Sequence, residues 1–417
     1  MFACESNAKT YARKFPKMFT KGNGCYLFDD ENNRYIDCLA CAGALPLGNN
    51  HPIVKQAISD YLNSELPQQM LDLSTPAKAE YIEEIFEWFP NEMRNYKIHF
   101  CSPSGSDAVE ASLKLCRSAT KRQNIISFSG CYHGQTNGSL SLMGNLNSKT
   151  QTNLPLLNTI IFPYPNNFHY EFSAENILNL LNQTLEDDES GLLKPAGIIL
   201  ECIQGEGGVC NPGFNFIKGI RNICTKFNIP MIVDEVQSGF FRTGKKFAFN
   251  HSDIIPDVVV CAKSAGGSQP LAFIIYKPEL DTWTSGAHTG TFRGSQLSFV
   301  TGKYVLNYLR LNDYDYKVNL IGSYFVEKLN MLKNSFPQHI YEVRGLGLML
   351  GLQLYTNLKP DGDKAKIIQS KLFNQFRIIL ELGGRSSSVL RFLTSYDITP
   401  DIIDTIIESL SICFDEL

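Results

Sequence analysis

Strand-like and helix-like segments alternate from about residue 97 to residue 263, which predicts an α/β protein built on a mostly parallel sheet. Two further observations point the same way. The runs Met231 to Val233 and Val258 to Val260 are short and wholly apolar, as strands covered on both faces must be. Each run also ends in chemistry. Asp234 closes the first and Lys263 stands just past the second, so parallel strands deliver a carboxylate and an amine to one edge of the sheet. Open α/β sheets bind ligands at that carboxyl edge.

The chain in order supports this class. LFDDENNRYIDCLA, after Tyr26, reads as two short strands around a polar turn, and a Gly- and Pro-rich loop follows. HPIVKQAISDYLNSEL has helical spacing with Pro52 near its start, and TPAKAEYIEEIFEWF is a second helix with Ser74 or Thr75 as N-cap. KIHFCSPSGSDAVEASLKLCRSAT gives a strand, a loop of small residues and an amphipathic helix expected to start near Asp107. NIISFSGCYHGQ repeats strand then loop, and PAGIILECIQGEGG adds a strand and a Gly-rich loop carrying Glu201 and Glu206. LAFIIYK is another strand. Beyond about residue 310 the pattern changes to one long helix, a single VRGLGLMLGLQL strand and further helices and strands, read as a smaller domain. Gly345, Gly347 and Gly351 lie inside that apolar run with no helix opening after them, so they are assigned to strand packing and not to a dinucleotide loop.

A chain of 417 residues exceeds one ordinary core, and 43% hydrophobic with 19% charged residues is a globular composition. A net charge of −4 argues against a nucleic-acid footprint, which needs a basic face. The early basic cluster Lys9, Arg13, Lys14, Lys17 and Lys21 reads as a solvated arm. No apolar run is long enough to cross a bilayer, and Glu5, Lys9 and Arg13 stand where a signal peptide is apolar, so a cytoplasmic location with reduced thiols is expected. The 12 cysteines are scattered, and Cys38 with Cys41 forms one C-x-x-C that no second pair completes, so no metal site is expected.

A lysine at an apolar sheet edge is poorly solvated as an ammonium, which favours its neutral amine and Schiff-base chemistry with an aldehyde cofactor. A buried aspartate beside it needs a cation, and the protonated ring nitrogen of pyridoxal phosphate is one. A strand ending in Asp-Glu also suits the Mg-holding strand of a P-loop NTPase. Neither Gly244-Lys245 nor Gly302-Lys303 sits in the loop that this alternative requires. Gly105 and Ser106 at a helix start offer backbone donors to a phosphate, although a plain N-cap explains them equally. Tyr132 can stack on a flat ring or fill a core, and the Gly-Thr-Phe-Arg-Gly loop at residues 290 to 294 offers a hydroxyl and a guanidinium.

Together, SPSGSDAVEASLKLCR, GCYHGQT, LECIQGEGG, IVDEVQSGFFRTG, CAKSAGG and HTGTFRGSQ, in this order, resemble the class III (ω-amino acid) aminotransferases of the fold-type-I pyridoxal phosphate enzymes. The resemblance covers nearly the whole chain. It implies a large domain with a mostly parallel seven-stranded sheet between helices, over 71–308, and a smaller α+β domain over 309–417. Residues 1–70 would supply an N-terminal arm and part of the smaller domain. It also implies roles. Lys263 would link to pyridoxal 5'-phosphate and shuttle the proton; Asp234 would pair with the ring nitrogen, Gln237 with the phenolic oxygen, and Tyr132 would stack on the ring with His133 beside it. Gly105 and Ser106 would hold the phosphate, with Thr291 reaching it from the other subunit of a homodimer. Arg391 would receive the α-carboxylate of glutamate or 2-oxoglutarate, and Glu206 would neutralise Arg391 when the amine donor binds. ESNAKTYARKFPKMF, LDLSTPAKAEYIEE and ELGGRSSSVLRFL resemble the branch acting on 2,4-diaminobutyrate and 2-oxoglutarate; ornithine, acetylornithine, 4-aminobutyrate or another amine, or a non-catalytic pyridoxal-binding protein, are the alternatives. The chain departs from the family pattern at Cys41 and Phe241, where Gly is usual, and at Asn49, Cys202, Ser295 and Thr394 to Tyr396.

Overall fold

The computed structural model describes residues 4–150, 158–165 and 173–417. Its centre is a seven-stranded sheet of β1 (Lys97–Phe100), β2 (Ile125–Phe128), β3 (Thr159–Phe162), β4 (Gly197–Leu200), β5 (Met231–Asp234), β6 (Val258–Cys261) and β7 (Phe273–Tyr276), in the order β1-β7-β6-β5-β4-β2-β3. Only β7 runs against its neighbours β1 and β6, and the rest pair in parallel. The expected mostly parallel sheet is therefore present. Every residue of β4, β5 and β6 is buried, which is why these strands read as unbroken apolar runs and not as alternating ones.

The helix Gly105–Thr120 follows β1 and begins two residues earlier than Asp107, which lies in its first turn. The helix Pro76–Phe86 opens as expected, with Thr75 Oγ1 accepting the N–H of Lys78 at 3.2 Å. Beyond the sheet, the helices Gln296–Leu311 and Tyr314–Ser335 lead into a second, antiparallel sheet of β8 (Ile340–Leu346), β9 (Met349–Thr356), β10 (Glu381–Gly383) and β11 (Val389–Phe392), in the order β8-β9-β11-β10. The single strand expected for VRGLGLMLGLQL is thus a hairpin. Gly347 turns it with φ of 56°, a left-handed conformation that suits glycine, and it serves the turn and not strand packing. Gly345 and Gly351 lie within β8 and β9 as expected.

Residues 19–37 form three antiparallel strands, and Ile378–Ile379 adds in parallel to Arg34–Asp37, so the two ends of the chain share a sheet. The early basic cluster is not simply a solvated arm. Lys14 Nζ lies 3.0 Å from Oε1 of Glu381, a buried residue, and Lys17 pairs with Asp29 and Glu31. Burying Glu381 requires a cation nearby, and the arm supplies one. No helix of the described residues is long and apolar enough to cross a membrane.

Candidate active site

The C-terminal ends of β5 and β6 open into a cleft of about 340 Å³, whose lining includes Gly105, Ser106, Tyr132, His133, Glu206, Asp234, Gln237 and Lys263. Parallel pairing aligns Asp234 with Val260, three residues before Lys263, so adjacent strands bring carboxylate and amine to one edge. Lys263 takes φ of 50°, an unfavourable backbone conformation for a side chain of its size and one that clusters at functional sites. Desolvation lowers its pKa, with Glu206 and Asp234 opposing and Arg391 assisting. Part of the amine is therefore available as a nucleophile nearer to neutrality than an ordinary lysine allows.

Asp234 is buried and held twice. Oδ1 accepts the N–H of Val236 at 3.0 Å, and Oδ2 lies 2.8 Å from Nδ1 of buried His133. Burial opposes charging of the His133 ring, but the nearby Cys131 and Asp234 carry its pKa well above the usual value. His133 thus positions the carboxylate, and a carboxylate with about four acceptor sites keeps room for another donor. Glu201, also in the lining, accepts N–H groups from Tyr132 and Gly205 at 3.0 Å each, and burial pushes its pKa up to about 7. Sequence reasoning gave Glu201 no role; its place at the end of a buried strand, like that of Asp234, was the available signal.

At the other side of the cleft, Arg391 Nη2 donates to Glu206 Oε1 at 2.7 Å. The arginine side chain is fully buried, whereas that of Glu206 is 33% exposed. Arg391 Nε and Nη1 have no hydrogen-bond partner among the described residues. Burial would raise the Glu206 pKa, yet Arg391 and Lys263 hold it below the carboxylate norm. Arg391 is opposite Glu381 across the β10–β11 ladder, which places a second carboxylate on its strand neighbour.

Thr291 is not brought to this cleft. It is exposed, beside an exposed Phe292. Two departures from the family pattern fall at glycine-like backbone: Cys41 has φ of 53° and Phe241 φ of 69°. Phe241 offsets that strain by packing, its ring centroid 4.7 Å from that of Trp88. Tyr396 fills its altered site under Arg242, whose guanidinium stands 4.6 Å over the ring, and its hydroxyl donates to Phe240 O at 2.8 Å.

Comparison with known proteins gives this geometry its context. The family model for aminotransferase class-III matches residues 8–414. The chain belongs to the class III aminotransferases. A diaminobutyrate-2-oxoglutarate aminotransferase of Haemophilus influenzae is 42% identical over 409 residues, covering 94% of this chain and 89% of that protein. Another with the same name, from Rhizobium meliloti, is 41% identical over 99% of this chain and 91% of its own length. The fold resembles a transaminase from the marine bacterium Virgibacillus with TM-score 0.89, at 21% identity and covering 99% and 96% of the two chains. Class III aminotransferases depend on pyridoxal phosphate, and this chain is a pyridoxal phosphate-dependent transaminase.

The residues present fit that cofactor. Gln237 faces the cleft with its buried Oε1 unpartnered among the described residues, a polar atom in need of a ligand. The helix Gly105–Thr120 points its N-terminus into the same cleft without a side-chain cap, leaving first-turn N–H groups for an anion. Gly134 keeps that end open, since a Cβ there would come within 2.1 Å of Ser106 Oγ.

Proposed function

We propose that this transaminase moves the 4-amino group of L-2,4-diaminobutyrate to 2-oxoglutarate, giving aspartate 4-semialdehyde and glutamate, or runs the reverse. The observation that carries the reading is the Glu206–Arg391 pair, a buried cation with a counter-ion that is itself part-exposed. The two relatives named above support the choice of substrates.

Bound in the cleft, pyridoxal phosphate supplies an aldehyde to carry the amino group and a ring to withdraw electrons from the reacting carbon. The chain's own residues do the rest. Lys263 Nζ anchors the aldehyde between turnovers and then moves a proton off the substrate's reacting carbon. Asp234, oriented by His133, keeps the ring nitrogen protonated. Gln237 orients the phenolic oxygen, Tyr132 covers the ring face, and Gly105 and Ser106 hold the phosphate. Arg391 binds the carboxylate next to the reacting carbon of 2-oxoglutarate. When diaminobutyrate presents C4, which bears no carboxylate, Glu206 returns to Arg391 and spares a buried unpaired charge.

The same reading makes the protein a cytoplasmic homodimer in which Thr291 of one subunit meets the phosphate in the other. It assigns 71–308 to the cofactor-binding domain and 309–417, with part of 1–70, to the smaller one. Its test is a single-turnover experiment in which the yellow protein is mixed with diaminobutyrate, ornithine or 4-aminobutyrate without acceptor. Fast bleaching by diaminobutyrate, well ahead of the others, is the expected result. Faster bleaching by another amine moves the substrate assignment to that amine.

A further inference from the structure

A second cleft, of about 390 Å³, adjoins the first and shares Tyr132 and Glu206 with it. Asn145, Asn147 and Arg385 lie in its wall, and Arg385 is the only cation among the described residues that line it. Among the described residues, no carboxylate pairs with Arg385 and its guanidinium donates no hydrogen bond, although the residue is half-buried. Its backbone is anchored beside the first cleft, because the N–H of Gly384 donates to Glu206 O at 2.9 Å. Arg385 and Arg391 belong to one hairpin, Arg391 on β11 behind Glu206 and Arg385 in the connection between β10 and β11.

The substrates' chemistry gives this second guanidinium a task. In 2-oxoglutarate the reacting carbon is C2, with one carboxylate directly attached and the other three bonds away. In diaminobutyrate the reacting carbon is C4, and its carboxylate carbon is again three bonds away. The attached carboxylate occurs in one half-reaction only, which suits a cation with a detachable counter-ion. The distant carboxylate occurs in both, which suits a cation with no protein carboxylate to displace. We propose that Arg385 binds this distal carboxylate in both half-reactions, an inference that rests on the substrates proposed above. A planar guanidinium matches a carboxylate through two parallel hydrogen bonds, and the Asn145 and Asn147 amides can complete its shell.

The test uses the holoenzyme in single-turnover half-reactions with two matched pairs. Glutamate is compared with alanine, which lacks the distal carboxylate together with one methylene, and diaminobutyrate with 1,3-diaminopropane, which lacks the carboxylate alone. Arg385→Ala should lower kcat/KM for glutamate and diaminobutyrate about 10- to 100-fold more than for their partners, the range of a charge-assisted bond. Arg385→Lys should recover part of that loss. Equal losses within each pair, no loss at all, or a wild-type enzyme that fails to prefer glutamate over alanine would overturn the proposal. If wild-type enzyme ignores diaminobutyrate while the glutamate and alanine pair separates as expected, the donor assignment fails and Arg385 keeps its role. If diaminobutyrate is turned over well and Arg385→Ala discriminates in neither pair, the role of Arg385 fails alone.

Discussion

The floor of the cleft and the side that carries the Glu206–Arg391 pair hold their charges in different ways. Asp234 and Lys263 stand at the ends of β5 and β6, strands buried along their entire length, and Asp234 is fixed by both a backbone N–H and His133. Glu206 and Arg391 come from a loop and from a separate sheet, 185 residues apart, joined by one hydrogen bond. The first arrangement resists rearrangement because Asp234 ends a buried strand and its partner His133 is itself buried. The second is less confined, because the Glu206 side chain is part-exposed while that of Arg391 is fully buried. The proposed roles put the chemistry common to all substrates on the rigid side and discrimination between substrates on the side of the Glu206–Arg391 pair.

Substitutions can break this contrast. The largest effect should come from Lys263→Ala, which removes the amine but little packing. Turnover should fall to background and the absorption band that depends on the covalent link between lysine and cofactor should vanish, with the far-ultraviolet circular dichroism retained. Turnover near the wild-type level would show that the rigid side is not where the reaction runs.

Next in size is Asp234→Ala, which strands the buried His133. Breaking such a pair costs about 3–5 kcal/mol, so chemical denaturation of the cofactor-free protein should show a loss of that order. A loss near zero would mean that the floor is less fixed than its contacts indicate. Arg391→Ala should separate the two half-reactions, with that of 2-oxoglutarate and glutamate slowed by about 100-fold or more and that of the amine donor by much less. Equal slowing would make the pair structural.

The smallest effect concerns pH. Burial pushes Glu201 and Glu235 up to about 7, so the folded protein binds protons that the unfolded chain, with ordinary carboxylates, has released. Stability contributed by these protonated groups is complete at acid pH and is lost as pH rises from the usual carboxylate range through about 7. Glu235→Gln should flatten that slope in denaturation curves measured across the interval. An unchanged slope would assign it to other groups.

The two sides also differed in how far the sequence disclosed them. Asp234 and Lys263 were visible because a charge that ends a wholly apolar run has few places to go except a sheet edge. Gly105 and Ser106 were half visible, since a capped helix and a phosphate cradle use the same small residues. Arg391 sits inside the apolar run VLRF, and nothing local links it to Glu206; only the resemblance to a family connected them. The hairpin at Gly347 was hidden because its turn is apolar, held by Leu348 donating its N–H to Arg242 O at 2.9 Å and not by polar turn residues. The pairing of Lys14 with Glu381 was invisible for the same reason as Arg391, being set by contacts 367 residues apart.

The exposed position of Thr291 has a genetic consequence. With the proposed exchange between subunits, Lys263 and Thr291 of one polypeptide never serve the same reaction centre. Two inactive alleles, one altered at each position, would therefore rescue each other when co-expressed, because every mixed dimer places both lesions in one centre and leaves the other intact. Lesions at Lys263 and Asp234, which share a cleft, would show no such complementation.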